Sequence, residues 1–355
     1  MSVSVSRFGS LLDSSGPIGA GERKAAGVFA ADETFFFLNG SSGANRTIMH
    51  GCVARGEKIL VDRNCHKCVC DGITLTGARP EYLPAQRNGY GLPGPVLPGA
   101  LSRETGRTEG ATYAVVTNST YDGFCYDTNR AADSFAASVR DLHFDEAWFG
   151  HAAFLPLYRG RYAMAVSRGE DDQLICSAQS AHKVLAALSQ SSMIHVRARR
   201  GRVDRHRFNL TYAMHASTSS SYPMLAGLDV AATMLEGGSG PVLIDDVVRE
   251  AVRFRQGVSA KAETARREDD WFFDIWQPPE VADPVDGKRY SFGNAPAELL
   301  RTVPDCWVLD PAEDWHGFSG VEICSQRWCP DWWTSTRTTT VVSLCPASRP
   351  GRRIT

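Results

Sequence analysis

From about residue 25 the sequence alternates between short apolar runs and longer amphipathic stretches, with Gly, Asn or Asp at the joints. Short apolar runs are typical of buried strands, and the stretches between them have the periodicity of helices. This alternation predicts an α/β fold. We expect strands at 58–61, 113–117, 141–144 and 173–176, and helices near 44–54, 129–138, 184–191, 205–215 and 223–235.

The sequence pattern and composition of the carboxyl-terminal third change twice, after residue 268 and after residue 322. Residues 241–268 have helical spacing of apolar residues and a highly charged far face, which predicts a long surface helix. Residues 270–322 carry four Trp among prolines and are expected to begin a smaller α+β domain. The last 33 residues, 323–355, contain three Cys, three Trp, six Thr and five Arg but no Lys. Two interpretations of this tail stay open, an irregular segment or translation out of the original reading frame.

Composition and charge exclude several classes of function. The 38 basic and 40 acidic residues leave a formal charge of −2, without the basic surplus of a nucleic-acid-binding protein. No apolar run approaches the ~20 residues that a bilayer crossing needs, and the first residues lack the pattern of a signal peptide. We therefore expect a cytoplasmic protein with neither nucleic-acid nor membrane partners.

The strongest local signal is the sequence Ser-Ala-His-Lys at 180–183, directly after a predicted strand. A lysine amine at such a joint can form a Schiff base when desolvation or a nearby cation lowers its pKa. Ser180 and His182 flank Lys183, and both are placed to reach a phosphate from the same turn. The alternative is that Lys183 is a solvated lysine at a helix start.

Three further strand ends carry polar residues of chemical interest. Ser41 and Ser42 lie in a Gly- and Ser-rich turn that opens a predicted helix, where backbone N–H groups and hydroxyls bind anions. Asp145 follows a strand, where a carboxylate can pair with a pyridinium nitrogen, although Asp is also a common helix N-cap. His66 follows another strand and is placed either to stack on a flat cofactor or to serve a structural purpose.

Together these residues resemble those of the bacterial ornithine, lysine and arginine decarboxylases. The cofactor-attachment signature of that family is met from Ala178 through Ser192, and the resemblance covers about residues 3–322. Further similar stretches are DRNCHK at 62–67, VVTNSTYDG at 115–123, HFDEAW at 143–148, ALSQSSMIHVR at 187–197 and DCWVLDPAEDWHGF at 305–318.

The resemblance implies a role for each of these residues toward pyridoxal 5′-phosphate, the cofactor of the family. Lys183 would be bound covalently to the cofactor aldehyde, Asp145 would pair with the ring nitrogen, His66 would stack on the ring and Trp148 would line its edge. The residues implied in phosphate binding are Ser41, Ser42, Ser180 and His182, with Ser217 and Ser219 contributed by a neighbouring subunit.

The resemblance also implies an architecture and a reaction. It predicts an aspartate-aminotransferase-like, fold-type-I large domain over residues 1–236 that binds pyridoxal phosphate, lacks its first segment and contains a mixed, mostly parallel sheet. Residues 237–322 would form a linker helix and part of a small α+β domain, followed by the tail at 323–355. The expected protein is a homodimer with its site at the interface, and it decarboxylates a basic amino acid to the amine and CO₂. Arginine is favoured narrowly over lysine, with ornithine third.

Two other interpretations stay open. Members of the family are about twice as long as this chain, so the protein is alternatively a truncated, inactive remnant that at most binds the cofactor. Cys65, Cys68 and Cys70, with His66 among them, are four soft ligands within six residues and would suit a metal site.

Overall fold

The computed structural model describes residues 6–87, 93–96, 108–121, 123–136, 138–167, 173–198, 203–217, 219–268, 270, 273–275, 277–307, 324–328 and 344–346. The strands are β1 (Glu33–Phe37), β2 (Lys58–Asp62), β3 (Arg79–Leu83), β4 (Ala85–Arg87), β5 (Pro93–Val96), β6 (Ala111–Thr117), β7 (Phe124–Tyr126), β8 (Asp141–Asp145), β9 (Leu174–Gln179), β10 (Ser192–Arg197), β11 (Phe273–Ile275), β12 (Glu280–Ala282), β13 (Arg289–Ser291), β14 (Cys324–Trp328) and β15 (Leu344–Pro346). The helices are α1 (Gly16–Val28), α2 (Gly40–Cys52), α3 (Lys67–Thr76), α4 (Thr128–Ala136), α5 (Ala181–Val184), α6 (Arg205–His215), α7 (Tyr222–Met234), α8 (Ser239–Arg267) and α9 (Ala297–Thr302). Short 3₁₀ turns lie at Ser6–Phe8, Gly150–Phe154, Pro156–Tyr158, Ala163–Ala165, Phe292–Asn294 and Pro304–Trp307.

A seven-stranded sheet organises the larger part of the molecule, in the order β1-β10-β9-β8-β6-β2-β3. β9, β8, β6, β2 and β3 pair in parallel, whereas β10 is antiparallel to both of its neighbours, β1 and β9. Six strands therefore run in one direction and end at the same edge of the sheet, which is where α/β proteins place their ligands.

Alternating side chains of the strands feed two hydrophobic layers, one on each face of the sheet. Phe35 and Phe37 of β1 pack into the layer that includes side chains of α2, α3 and α6, while Phe36 points into the layer that includes side chains of α1, α4 and α7. Ile59 and Leu60 of β2 divide in the same way. Helices thus cover both faces, as a mostly parallel sheet requires.

The edge strand β1 has its outward backbone groups satisfied by neighbouring helices. The Phe36 N–H donates to Glu22 Oε1 of α1 at 3.0 Å, and the Tyr212 hydroxyl of α6 donates to the Phe36 carbonyl at 2.6 Å. An unpaired strand edge is a template for aggregation, so these two contacts protect the sheet on that side.

The long helix α8 leads to a smaller group of elements. The hairpin of β12 and β13, helix α9 and the turn at 304–307 follow it, and Trp307 is fully buried with its indole N–H donating to the Leu300 carbonyl at 2.7 Å. The guanidinium of Arg255 in α8 lies 5.4 Å from the Trp307 ring centroid. A cation–π contact therefore joins α8 to these elements.

The prediction of an α/β fold with a mixed, mostly parallel sheet is confirmed. The predicted long helix at 241–268 is α8, and the strands and the other helices predicted in the large domain agree within a few residues, with one exception. The helix expected at 184–191 is wrong, because α5 ends at Val184 and Leu185 has an extended backbone. The chain then folds back, and the Ser191 carbonyl accepts hydrogen bonds from the His182 backbone N–H at 3.2 Å and from its ring.

The predicted domain boundaries stay predictions. α8 begins at Ser239, close to the expected boundary at residue 237. Most of the tail at 323–355 lies outside the described residues, and within it the short strands β14 and β15 pair with β7 and β11. Among the described helices none combines the length and apolar character that crossing a bilayer demands.

The contact between Glu22 and the edge strand predicts a pH-dependent stability. Burial raises the pKa of Glu22 from 4.5 to about 7, so the folded protein favours the neutral acid and loses stability as the pH rises through 7. Glu22→Gln keeps an acceptor for Phe36 and does not titrate. We expect the variant to match the wild type at pH 4.5 and to be more stable at pH 8 by about 3 kcal/mol. Urea unfolding at several pH values measures this difference, and parallel curves for the two proteins would contradict it.

Candidate active site

Polar side chains that follow five strands of the sheet converge on one cleft. The strands β1, β2, β6, β8 and β9 run in the same direction, so the residues after them meet at one edge. The cleft has a volume of about 120 Å³. Its lining residues are Ser41, Asn64, His66, Thr117, Ser119, Tyr121, Asp145, Ala147, Trp148 and Lys183.

Asp145 is the last residue of the central strand β8 and is only 4% exposed. Its Oδ1 accepts the Ala147 backbone N–H at 3.2 Å, and its Oδ2 accepts the Asn45 amide at 2.8 Å. Burial raises the pKa of this carboxyl, and the hydrogen bond from Ala147, the charges of Lys183 and His66, and the hydrogen bond from Asn45 oppose the rise. Asp145 is not the N-cap of a helix, so the structural alternative considered for it from sequence is wrong.

Lys183 lies in the one-turn helix α5, which directly follows β9. Its Nζ is 4.5 Å from the ring centroid of Trp148, within the range of a cation–π contact. Burial lowers the pKa of Lys183, although the charge of Asp145 opposes this change. A lowered pKa increases the neutral fraction of the amine, which is the form that attacks a carbonyl carbon.

Two hydroxyls lie together at the start of α2. Ser180 Oγ donates to Ser41 Oγ at 2.7 Å, and both side chains are buried. The Gly40 N–H bonds the Gln190 carbonyl at 2.8 Å, which fixes the beginning of this 13-residue helix beside the chain that enters β10. Hydroxyls at the positive end of a helix dipole favour an anion.

His66 combines a structural contact with a place in the cleft. Its Nδ1 accepts the Cys68 backbone N–H at 3.2 Å, so the side chain caps the N-terminus of α3. The capping bond leaves Nε2 as the protonated nitrogen of the neutral ring. The ring position is thus fixed by the helix that it caps.

Glu146, next to Asp145, ties three strand ends together. Its Oε1 accepts from Asn118 Nδ2 at 2.8 Å and from the Ala163 N–H at 2.7 Å, and its Oε2 accepts from Ser177 Oγ at 2.6 Å and Gln179 Nε2 at 3.1 Å. Burial raises the pKa of Glu146 to about 7, while these donors favour the anion. Three of these contacts fix the ends of β6, β8 and β9 relative to one another, and the fourth holds the 3₁₀ turn at Ala163–Ala165.

The structure brings half of the predicted site residues to the cleft. The five that line it are Ser41, His66, Asp145, Trp148 and Lys183. Ser180 lies one hydrogen bond behind Ser41, the Ser42 side chain bonds Cys68, and the His182 ring bonds the Ser191 carbonyl at 2.8 Å. Ser217 and Ser219 lie in a segment after α6 that is absent from the cleft lining. The roles of all ten residues stay predictions.

Several cleft residues were not assigned from sequence. Asn64, Thr117, Ser119 and Tyr121 all belong to stretches that carried the family resemblance, DRNCHK and VVTNSTYDG. The usable signal was their position directly after β2 and β6, since parallel strands end at one edge. Asn45 was also missed, because nothing local connects it to Asp145.

The residues of the cleft fit pyridoxal phosphate. A buried carboxylate faces the cleft, an amine of lowered pKa lies beside an aromatic wall, and a hydroxyl pair lies at a helix start. Asn64 Nδ2 is buried and has no hydrogen-bond partner among the described residues, which leaves one donor for a ligand. These are the groups that an electron-poor ring with an aldehyde and a phosphate requires.

The alternative of a metal site gains no support. Within the described ranges, no three side chains of His, Cys, Asp or Glu come together as ligands for a metal ion. Cys68 instead accepts the Asn45 amide at 3.2 Å.

The sequence and the structure of the chain are similar to those of known proteins. The family model for the Orn/Lys/Arg decarboxylase major domain matches residues 1–328. The chain is 42% identical over 360 residues to the biodegradative arginine decarboxylase of Escherichia coli K12, covering 98% of this chain and 47% of that protein. It is also 42% identical over 334 residues to the lysine decarboxylase LdcA of Pseudomonas aeruginosa, covering 90% of this chain and 42% of that protein.

Among solved structures, lysine decarboxylase A from Pseudomonas aeruginosa superposes with a TM-score of 0.78 at 41% identity. The match covers 93% of this chain and 44% of that one. The chain therefore spans about half the length of the relatives that it matches.

The environment of Lys183 predicts unusual amine reactivity. Because burial lowers its pKa, acylation of Lys183 should reach half of its maximal rate below pH 10.5, the ordinary pKa of a lysine. Trp148→Leu removes the aromatic face that stabilises the ammonium form and should lower this midpoint further. Brief labelling at a series of pH values, followed by peptide mass spectrometry, measures the rate, with the exposed Lys67 as a control for the reagent. A midpoint at or above 10.5 would contradict the assignment.

Proposed function

Because the chain belongs to the Orn/Lys/Arg decarboxylase family, we propose that it binds pyridoxal 5′-phosphate and decarboxylates a basic amino acid to the amine and CO₂. The observation that carries the proposal is the placement of Lys183 and Asp145 in one cleft with a hydroxyl pair at a helix start. When bound, the cofactor supplies an electron-poor ring that accepts the electron pair released as CO₂ leaves.

Lys183 and Asp145 act on two different groups of the cofactor, the aldehyde and the ring nitrogen. Lys183 provides the amine that holds the cofactor aldehyde, and burial favours its neutral, nucleophilic form. Asp145 presents a carboxylate to the ring nitrogen, where a negative charge keeps that nitrogen protonated.

The other proposed site residues bind the phosphate of the cofactor and orient its ring. Ser41 and Ser180 hold the phosphate with the dipole of α2, and Ser42 and His182 support the two segments from which these hydroxyls project. His66 and Trp148 form the walls that confine a flat ring. These two side chains would restrict the orientation of a bound flat ring.

We also propose a homodimer in which Ser217 and Ser219 reach the phosphate of the neighbouring subunit. Two large apolar side chains of α6, the helix that leads to this segment, are exposed: Leu210 is 56% and Met214 69% exposed. Apolar side chains of this size at the surface favour a protein interface.

Arginine is the proposed substrate, ahead of lysine and ornithine. In support, the match to the arginine decarboxylase covers 98% of this chain, against 90% for the lysine decarboxylase, at the same 42% identity. The second candidate function is cofactor binding without turnover. The chain matches less than half of either relative, so residues that recognise the substrate can lie in the unmatched part.

Cofactor attachment is tested by reduction with borohydride. We expect wild-type protein incubated with pyridoxal phosphate to yield one pyridoxyl-modified peptide containing Lys183, and Lys183→Ala to yield none, because no other lysine of the described ranges lines the cleft. Mass spectrometry after digestion identifies the modified residue, and Lys67→Ala, at an exposed position, serves as the matched control. Equal modification of the Lys183→Ala protein at another lysine would refute the proposed attachment site.

Turnover is tested with Asp145→Asn. The variant should lose CO₂ release by on the order of 100-fold or more, with a smaller loss of cofactor affinity, because a neutral amide leaves the ring a poorer electron acceptor. Release of ¹⁴CO₂ from labelled arginine, lysine and ornithine measures activity and substrate preference together. Asp141→Asn, at the opposite end of β8, is the control. Wild-type protein that binds the cofactor but releases no CO₂ from any of the three would favour the second candidate.

A further inference from the structure

The Asp145 carboxylate is buried without a cation in direct contact. Its side chain is 4% exposed, and within the described part of the chain it forms no ion pair with Lys, Arg or His. A buried carboxylate without such a partner tends to take up a proton. A neutral acid would not keep a ring nitrogen protonated, and the anion is favoured by the Ala147 N–H, by the charges of Lys183 and His66, and by the Asn45 amide.

Asn45 makes the shorter of the two hydrogen bonds to this carboxylate. Its Nδ2 lies 2.8 Å from Asp145 Oδ2, against 3.2 Å for the Ala147 N–H and Oδ1. Asn45 is 1% exposed and belongs to α2, the helix whose start carries Ser41. The amide thus connects the proposed phosphate end of the site to the proposed ring end.

The second N–H of the same amide is also used. Asn45 Nδ2 lies 3.2 Å from Cys68 Sγ in α3, so the two hydrogens of the amide have two acceptors. The opposite orientation of the amide would place its oxygen against the carboxylate. Both contacts together favour the orientation that donates to Asp145, and a donor at this oxygen stabilises the ionised carboxylate.

We propose that Asn45 is a positioning residue that keeps Asp145 ionised and directed at the cleft, with Cys68 fixing the orientation of the Asn45 amide. The inference rests on the proposed function, since an ionised carboxylate at this place is what a protonated ring nitrogen needs. Asn45 itself does not line the cleft. It acts on the reaction through Asp145.

The titratable groups that face Asp145 come from three other elements. They are Lys183 of α5, His66 and Cys68 at the start of α3, and the more remote Tyr113 of β6. Burial raises the pKa of Cys68 to about 11, so this thiol stays neutral over the range of the experiment.

The test is a double-mutant cycle on the full chain without added cofactor. Urea unfolding is measured from pH 5 to pH 9 for the wild type, Asn45→Leu, Asp145→Asn and the double variant. Loss of the amide raises the pKa of Asp145 in the folded protein further. The protonated acid then contributes more to folding stability at low pH, and this contribution is lost as the pH rises. We expect the folded-to-unfolded ratio of Asn45→Leu, relative to the wild type, to fall about tenfold over this range.

In the Asp145→Asn background the same substitution should change stability by an amount that does not depend on pH. Thr47→Val is the matched control, because Thr47 is fully buried in the same helix and, among the described residues, its hydroxyl bonds only the Gly43 carbonyl, at 3.0 Å. Its effect should be independent of pH. An equal pH dependence of the Asn45→Leu effect in both backgrounds, or none in either, would overturn the proposal.

Cys68 provides a second arm if Asn45→Leu does not fold. Cys68→Ala removes the acceptor that fixes the amide and should shift the pH dependence in the same direction, by about threefold, while Cys68→Ser keeps an acceptor and should behave as the wild type. Wild-type behaviour of Cys68→Ala would overturn the proposal. Binding of pyridoxal phosphate by the wild type is measured separately. Its absence would refute the proposed function, whereas the cycle tests Asn45 without the cofactor.

Discussion

Two consecutive carboxylates, Asp145 and Glu146, lie at the end of the central strand β8. They have different hydrogen-bond environments, and the cleft depends on this difference. Glu146 accepts four hydrogen bonds and joins the ends of three strands. Asp145 accepts two hydrogen bonds, forms no ion pair within the described part of the chain, and faces the cleft. A carboxylate whose oxygens are all hydrogen-bonded within the protein stabilises the fold, whereas one with fewer hydrogen bonds is available to a ligand. The rigid frame around Glu146 is what allows Asp145 to remain buried with few partners.

Local patterns were sufficient for the fold and for the half of the site that follows strands. Apolar runs ended by polar residues located Asp145 and His66, and the Ser-x-His-Lys signature located Lys183. The helix expected at 184–191 failed because tertiary hydrogen bonds to the Ser191 carbonyl override the local apolar spacing. Asn45 was missed for a related reason. Its partner Asp145 lies 100 positions away, and no periodicity encodes a pairing of that range.

The proposed chemistry uses only the part of a substrate that arginine, lysine and ornithine share. In the proposed reaction the aldehyde and the electron-poor ring would engage the amine and the carboxylate on one carbon of the substrate, in the cleft that His66 and Trp148 line. Equal identity to an arginine and a lysine decarboxylase is expected on this basis. Discrimination between substrates must then depend on groups that meet the far end of the side chain.

The hydrogen bond between Ser41 and Ser180 joins residues 139 positions apart. Closing so long a loop is slow compared with forming a helix or a hairpin, because its entropy is lost before the contact compensates. During synthesis, α2 and β1 leave the ribosome well before β9 and β10, the strands that place the lysine and complete this side of the sheet. The pair of hydroxyls is therefore complete only after most of the large sheet has been synthesised, and an anion that needs both of them would be bound late in the synthesis of the chain.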